Sequence, residues 1–175
     1  MNPIYDRNTL EFVTVAKEFC AQLERIHEHD LFSFVNNTTK ILPLLYVKAT
    51  LLPEIEEPEE AGAASFVTEE ACEALSGRVS RLLGEYDQYL ETFLPDMPYS
   101  DAPIIASISG NMADIYRNVG DFIALFRQGY EETMLIALSQ CAENFRIYWG
   151  QSLLNALKAL HAIRYNENVW LKKEK

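Results

Sequence analysis

The strongest constraint on the fold of this chain is the helical spacing of its apolar residues. In the segment 112–126, apolar side chains recur every three to four positions and so share one face of a helix. These residues are Met112, Ile115, Tyr116, Val119, Phe122, Ile123 and Phe126. No stretch shows the period of two that a half-buried strand requires. The chain has 175 residues, which suffices for a sizeable core, and we expect one all-α domain over 1–175 with five to six helices.

The longest predicted helix lies in the C-terminal part of the chain. From 131 to about 165 the apolar period stays in one register, which predicts a helix about 50 Å long. Further apolar bulk on its opposite side comes from Ile147, Leu154, Leu157 and His161. We therefore expect the second half of this helix to be buried on two sides, with the other helices packed around it.

Two earlier helices are predicted from their first residues. Asn8 followed by Glu11 matches a capping box for a helix over about 9–27. Asp30 is a suitable N-cap for the next helix. That helix contains Pro43, which lacks a backbone donor, and we expect a kink or break there.

The boundaries of the middle helices are marked by small and polar residues. A third helix is expected after Thr68 and ends at Gly84. Ser109 is the expected N-cap of the helix with the 112–126 stripe. Between them we expect a short helix near 87–94 within an irregular aromatic segment at 85–105.

The acidic residues are concentrated in the middle of the sequence. Residues 54–101 contain 13 Asp and Glu against only Arg78 and Arg81, and the difference of −11 equals the net charge of the whole chain. This acidity argues against nucleic-acid binding, which needs Lys and Arg clusters. It favours a basic partner or a divalent cation. An acidic loop at 54–67 accounts for part of it, and there we expect the charge to serve solubility.

Aromatic and acidic residues alternate in the irregular segment, which is typical of a surface that binds a basic or amphipathic peptide. The candidate contact residues are Tyr86, Asp87, Tyr89, Phe93, Asp96, Tyr99 and Asp101. The alternative is that the aromatic rings fix the segment to the bundle while its carboxylates stay in water. The leading hypothesis is a non-enzymatic interaction module.

Paired carboxylates suggest a different function. Glu70 and Glu73 share a helix face, and Asn111 and Asp114 stand at the same spacing on another helix. All-α nucleoside-triphosphate pyrophosphatases hold Mg²⁺ with such pairs. The second pair lacks one charge, so Glu70, Glu73 and Asp114 are only weak metal candidates. A Mg²⁺-dependent phosphohydrolase is the alternative function, and we predict no catalytic residue and no cofactor.

Local ion pairs offer a simpler interpretation of some of these residues. Arg117 lies within helical reach of Asp114 and Asp121, which predicts a solvated salt ladder. His161 is expected to lie at the core edge, and an acid–base pair with Asp87 or Asp114 is the alternative.

The composition also predicts a location and an assembly state. The start of the sequence has no apolar leader, and the longest apolar run, at 41–47, is too short to cross a membrane. The three cysteines have no metal-binding spacing, so we expect a reduced, cytoplasmic protein. It is expected to be a monomer, or a homodimer through the small residues Ala113, Gly120 and Ala124.

Several short segments, in this order and spacing, resemble a known family. They are LPLLY at 42–46, LGEYDQYL at 83–90, PDMPYSD at 95–101, ADIY at 113–116, DF at 121–122, NF at 144–145, YWG at 148–150 and ALH at 159–161. They are similar to domain of unknown function 5063, a helical family common in gut Bacteroidetes. The resemblance implies an all-helical cytoplasmic protein. The family has no known activity, so the resemblance implies no catalytic residue.

Overall fold

The computed structural model describes residues 2–56, 65–91 and 104–172. The elements in these ranges are α1 (Arg7–Glu24), α2 (Leu31–Thr50), α3 (Glu69–Leu83), β1 (Gln88–Leu90), β2 (Ile105–Ser107), α4 (Ile108–Arg127), α5 (Glu131–Asn144), α6 (Gly150–Arg164) and α7 (Glu167–Leu171). A π-helical turn, Phe145–Trp149, joins α5 to α6 without a break. The predicted all-α bundle with a long C-terminal helix is therefore confirmed.

The core lies where α4 and the long helix meet α1 and α2. Its largest fully buried side chains include Trp149, Phe12 and Phe122. The ring centroids of Trp149 and Phe12 are 6.4 Å apart, and the Trp149 indole donates to the carbonyl of Cys141 at 3.0 Å. The apolar stripe of α4 thus forms core, as its spacing predicts.

The second half of the long helix is not buried on two sides as predicted. Ile147 and Leu154 are 70% and 40% exposed, and His161 is also exposed. Leu153 and Leu160 are fully buried. Of the four residues expected on the second side, only Leu157 is partly buried and packs against the core.

The start of α1 differs from the predicted capping box. Asp6 is the N-cap, and its carboxylate accepts the N–H of Asn8 at 2.8 Å. Glu11 instead forms an ion pair with Lys48 at 2.6 Å, which ties α1 to α2.

The predicted start of α2 is confirmed, since Asp30 accepts the N–H of Ser33 at 2.7 Å. The helix continues past Pro43 to Thr50, so the chain does not break there. The helix tolerates the missing backbone N–H of Pro43 because it packs against both α1 and α6.

The third helix has the predicted bounds, beginning after the N-cap Thr68 and ending at Gly84. Gly84 has φ of +57°, a left-handed conformation that a side chain would oppose. The prediction of a short helix near 87–94 is wrong for the residues that are described there. They include β1, which pairs antiparallel with β2. Strands of three residues are too short to show an alternating pattern.

The start of α4 is shifted by two residues from the prediction. Ser107 is the N-cap, and its hydroxyl accepts the N–H of Gly110 at 3.1 Å. Ser109, the predicted cap, lies inside the first turn. No helix in the described ranges is long and apolar enough to span a membrane.

Candidate functional site

The seven candidate contact residues fall in two groups. Phe93, Asp96, Tyr99 and Asp101 lie outside the described residues. Tyr86, Asp87 and Tyr89 are described, and each contacts other parts of its own chain.

Asp87 stabilises the first turn of α4. It is only 5% exposed, and its two carboxylate oxygens accept the N–H and the hydroxyl of Ser109, each at 2.7 Å. Its main-chain carbonyl also accepts the N–H of Ile108 at 2.9 Å. A carboxylate held in this way is not free to meet a partner, and we leave Asp87 out of the candidate site.

The two tyrosines on either side of Asp87 are partly buried. Tyr86 packs against the core. Tyr89 donates its hydroxyl to the side-chain oxygen of Asn111 in α4. Burial and the charge of Glu91 raise the pKa of Tyr89 to about 12, so its hydroxyl remains a donor at neutral pH.

A second group of polar side chains gathers beside Tyr89 around Asp114. Asp114 is half-buried, and the hydroxyls of Tyr148 and Ser152 lie near enough to favour its charged form. Burial raises the pKa of Asp114 above its usual range, and these two hydroxyls together with the charge of Arg117 oppose the increase. Burial and the neighbouring carboxylate of Asp114 also raise the pKa of Tyr148 to about 12.

The π-helical turn places Tyr148 in this position. The N–H of Gly150 donates to the carbonyl of Phe145, which is the wider hydrogen-bond ring of a π-helix. A Cβ atom at position 150 would lie 2.5 Å from that carbonyl oxygen. Gly150 therefore permits the turn, and such turns are often found at functional sites.

Glu91 adds a second carboxylate, and it accepts the side-chain N–H of Asn155 at 2.8 Å. The charges of Glu91 and Asp114 both act on Tyr89, which places the tyrosine near the two acids. We call this surface the carboxylate–tyrosine face, and it comprises Tyr89, Glu91, Asn111, Asp114, Tyr148, Ser152 and Asn155.

Beside this face, α3 and α4 border an open groove of about 520 Å³. Its lining includes Glu69, Glu73 and Asp114, with Arg117 paired to Glu69. Glu70 is not among the lining residues. No three His, Cys, Asp or Glu side chains in the described ranges are grouped so as to hold a metal ion.

The predicted salt ladder on α4 does not form. Arg117 pairs with Glu69 of α3, and Asp121 accepts the N–H groups of Phe66 and Val67 at 2.8 and 2.7 Å. Glu69 and residues 66–67 are far from their α4 partners in sequence, so helical spacing could not reveal these contacts. His161 is exposed and lies against the ring of Tyr165, with 4.7 Å between centroids.

Comparison with known proteins identifies the family. The model of the family described as Domain of unknown function (DUF5063) matches residues 3–166. The chain belongs to this family. The crystal structure of protein BF1032 from Bacteroides fragilis is 44% identical to this DUF5063 protein, with a TM-score of 0.85, and the match covers 94% of this chain and 96% of that one. No curated protein matches the chain.

Sequence reasoning pointed to Tyr89, Asn111 and Asp114, and to Glu91 as one of the acids of the irregular segment, but it missed Tyr148, Ser152 and Asn155. A signal for one of them was present, because YWG at 148–150 is among the segments that resemble DUF5063. It could not show that Tyr148 meets Asp114, since the two lie on different helices.

Proposed function

We propose that this DUF5063 protein is a non-enzymatic cytoplasmic interaction module that binds a basic or amphipathic segment of a protein partner at the carboxylate–tyrosine face. One observation supports this most strongly. Glu91 and Asp114 are half-buried carboxylates with neutral polar side chains beside them. No ion pair within the described residues includes either of them.

Carboxylates that form no ion pair favour a cationic ligand. Removing a carboxylate from water is costly, and an ammonium or guanidinium group that binds beside it offsets that cost. Tyr148 is 49% exposed, and an aromatic ring attracts a cation to its face. Lysine and arginine side chains supply both kinds of contact.

The groove between α3 and α4 enlarges the acidic surface, so that the surface can contact more than one residue of a partner. Glu73 is exposed and, within the described residues, forms no ion pair. A segment with several basic residues can therefore contact Asp114 and Glu73 together. We expect its binding to weaken as salt increases.

The test is a titration of the full chain with a labelled Lys- and Leu-rich peptide, measured by fluorescence anisotropy at several salt concentrations. We expect Asp114→Asn to weaken binding about tenfold, which corresponds to ~1.4 kcal/mol, and Tyr148→Phe to weaken it less. Glu167→Gln is the matched control, since Glu167 is exposed on α7, and should bind as wild type. Equal binding by wild type and Asp114→Asn would contradict the proposal.

The phosphohydrolase alternative gives a different result. If it were correct, Mg²⁺ with a nucleoside triphosphate would raise the melting temperature, and Asp114→Ala would remove the increase. That outcome would replace the interaction proposal.

A further inference from the structure

A second surface lies on the solvent side of the α1–α2 pair. Here the two helices border a groove of about 510 Å³, whose apolar lining includes Val15 of α1 and Ile41 and Leu44 of α2. Leu44, Val47 and Leu51 are each between 46 and 50% exposed. This surface shares no residue with the carboxylate–tyrosine face.

The exposed apolar residues are spaced as a helix-packing ridge. Leu44, Val47 and Leu51 stand at i, i+3 and i+7, so they lie on one side of α2, with Leu51 at its C-terminal end. One exposed leucine needs no explanation, but a row beside an apolar groove marks an interaction site. A ridge and groove of this spacing fit another helix.

The charge beside the groove indicates which kind of helix fits. Arg25, His29 and Lys40 line it, and Glu18 is the one carboxylate among the described lining residues. No ion pair in the described ranges includes Arg25 or Lys40. This basic border stands out in a chain of net charge −11. We infer that the groove binds an amphipathic helix of a partner protein, with acidic residues beside its apolar face.

The same charges disfavour a second copy of this chain in the groove. A two-fold dimer packs the same patch on itself. It would bring Arg25 and Lys40 of both copies into one interface with only Glu18 to oppose them. Like charges in an interface are repulsive, whereas carboxylates on a partner helix complement them.

The experiment is a selection of helical peptides, about four turns long, from a displayed library against the full wild-type chain. Selected peptides are then titrated against Leu44→Gln and Lys40→Glu. Leu171→Gln and Lys17→Glu are the matched controls, because Leu171 and Lys17 are exposed and do not line the groove. Circular dichroism checks that each variant stays folded.

We expect the selected peptides to be amphipathic and acidic, and Leu44→Gln to weaken their binding at least about tenfold. Lys40→Glu should weaken it as well, and a Glu→Lys change in the peptide should restore part of the loss. No enrichment, enrichment of basic peptides, or binding that survives Leu44→Gln would overturn the inference. Dimerisation of the wild type that Leu44→Gln abolishes in sedimentation would also overturn it, in favour of a second copy.

Discussion

The role of Asp87 in starting α4 gives the most direct test of the structure. The change is Asp87→Ala, which removes the acceptor of both the N–H and the hydroxyl of Ser109, each now bonded at 2.7 Å. Because Ser109 is 4% exposed, water cannot easily replace the lost carboxylate. Both donors would remain buried without a partner.

The magnitude follows from these two bonds. A hydrogen bond to a charged group contributes about 1.5–3 kcal/mol, so we expect Asp87→Ala, which removes two such bonds, to lower the free energy of unfolding by about 3–6 kcal/mol. Asp87→Asn keeps one acceptor oxygen but places its NH₂ group against one of the two Ser109 donors. It should lower the free energy of unfolding by about half as much as Asp87→Ala. Ser109→Ala removes only the hydroxyl bond, and should cost about 1.5–3 kcal/mol.

The assay is equilibrium unfolding in urea, followed by tryptophan fluorescence, which reports on the fully buried Trp149. The Asp87→Ala, Ser109→Ala double mutant should cost less than the sum of the single changes, because both remove the same bond. Glu85→Ala is the matched control, since Glu85 is exposed, and should change stability by less than about 0.5 kcal/mol. An Asp87→Ala protein within about 0.5 kcal/mol of wild type would refute the assigned role.

Three further changes test other parts of the structure. Gly150→Ala places a Cβ atom against the Phe145 carbonyl and should lower stability by about 1–3 kcal/mol in urea unfolding; no loss would contradict the π-helical turn. Asp121→Ala removes the acceptor of two main-chain N–H groups and should speed hydrogen exchange of Phe66 and Val67 without much change in global stability. Folding raises the pKa of Asp114. At pH values between the ordinary pKa and the raised pKa, the folded state therefore binds more protons than the unfolded state. Stability should therefore fall as pH rises through that interval, and thermal melts of Asp114→Asn should lack this decrease.

The parts of the fold that could be predicted are those fixed by nearby residues. The stripe of α4 and the end of α3 at Gly84 depend on side-chain spacing and on one backbone conformation. The start of α2 depends on one carboxylate, Asp30, bonded three residues ahead. Where two caps compete within a few residues, as Asp6 and Asn8 do, local rules do not choose between them.

Features that depend on distant partners could not be predicted. Gln88 pairs with Ser107 in the small sheet, and Asp87 bonds to Ser109 in the next helix. These contacts join residues about twenty positions apart, and no local pattern specifies them. The expected helix near 87–94 was wrong for this reason.

The candidate site also combines features that nearby residues predict with features that depend on distant partners. Helical spacing offered Arg117 as the ion-pair partner of Asp114, whereas Arg117 pairs with Glu69 and the hydroxyls near Asp114 belong to Tyr148 and Ser152 of the long helix. The π-helical turn that carries Tyr148 leaves no mark on the apolar period that sequence reasoning could use. Only the fold brings the two helices together.

The acidic middle of the sequence therefore contains carboxylates with different roles. Asp87 holds the start of α4, and Glu69 pairs with Arg117 between two helices. Neutralising Asp87 would weaken the fold as well as any partner contact, so removing all acids of 85–101 at once could not separate the two effects. Glu91 and Asp114 differ because neutral polar side chains lie beside them and no ion pair in the described structure includes them. Single changes at these two positions can reveal a partner while the fold remains intact.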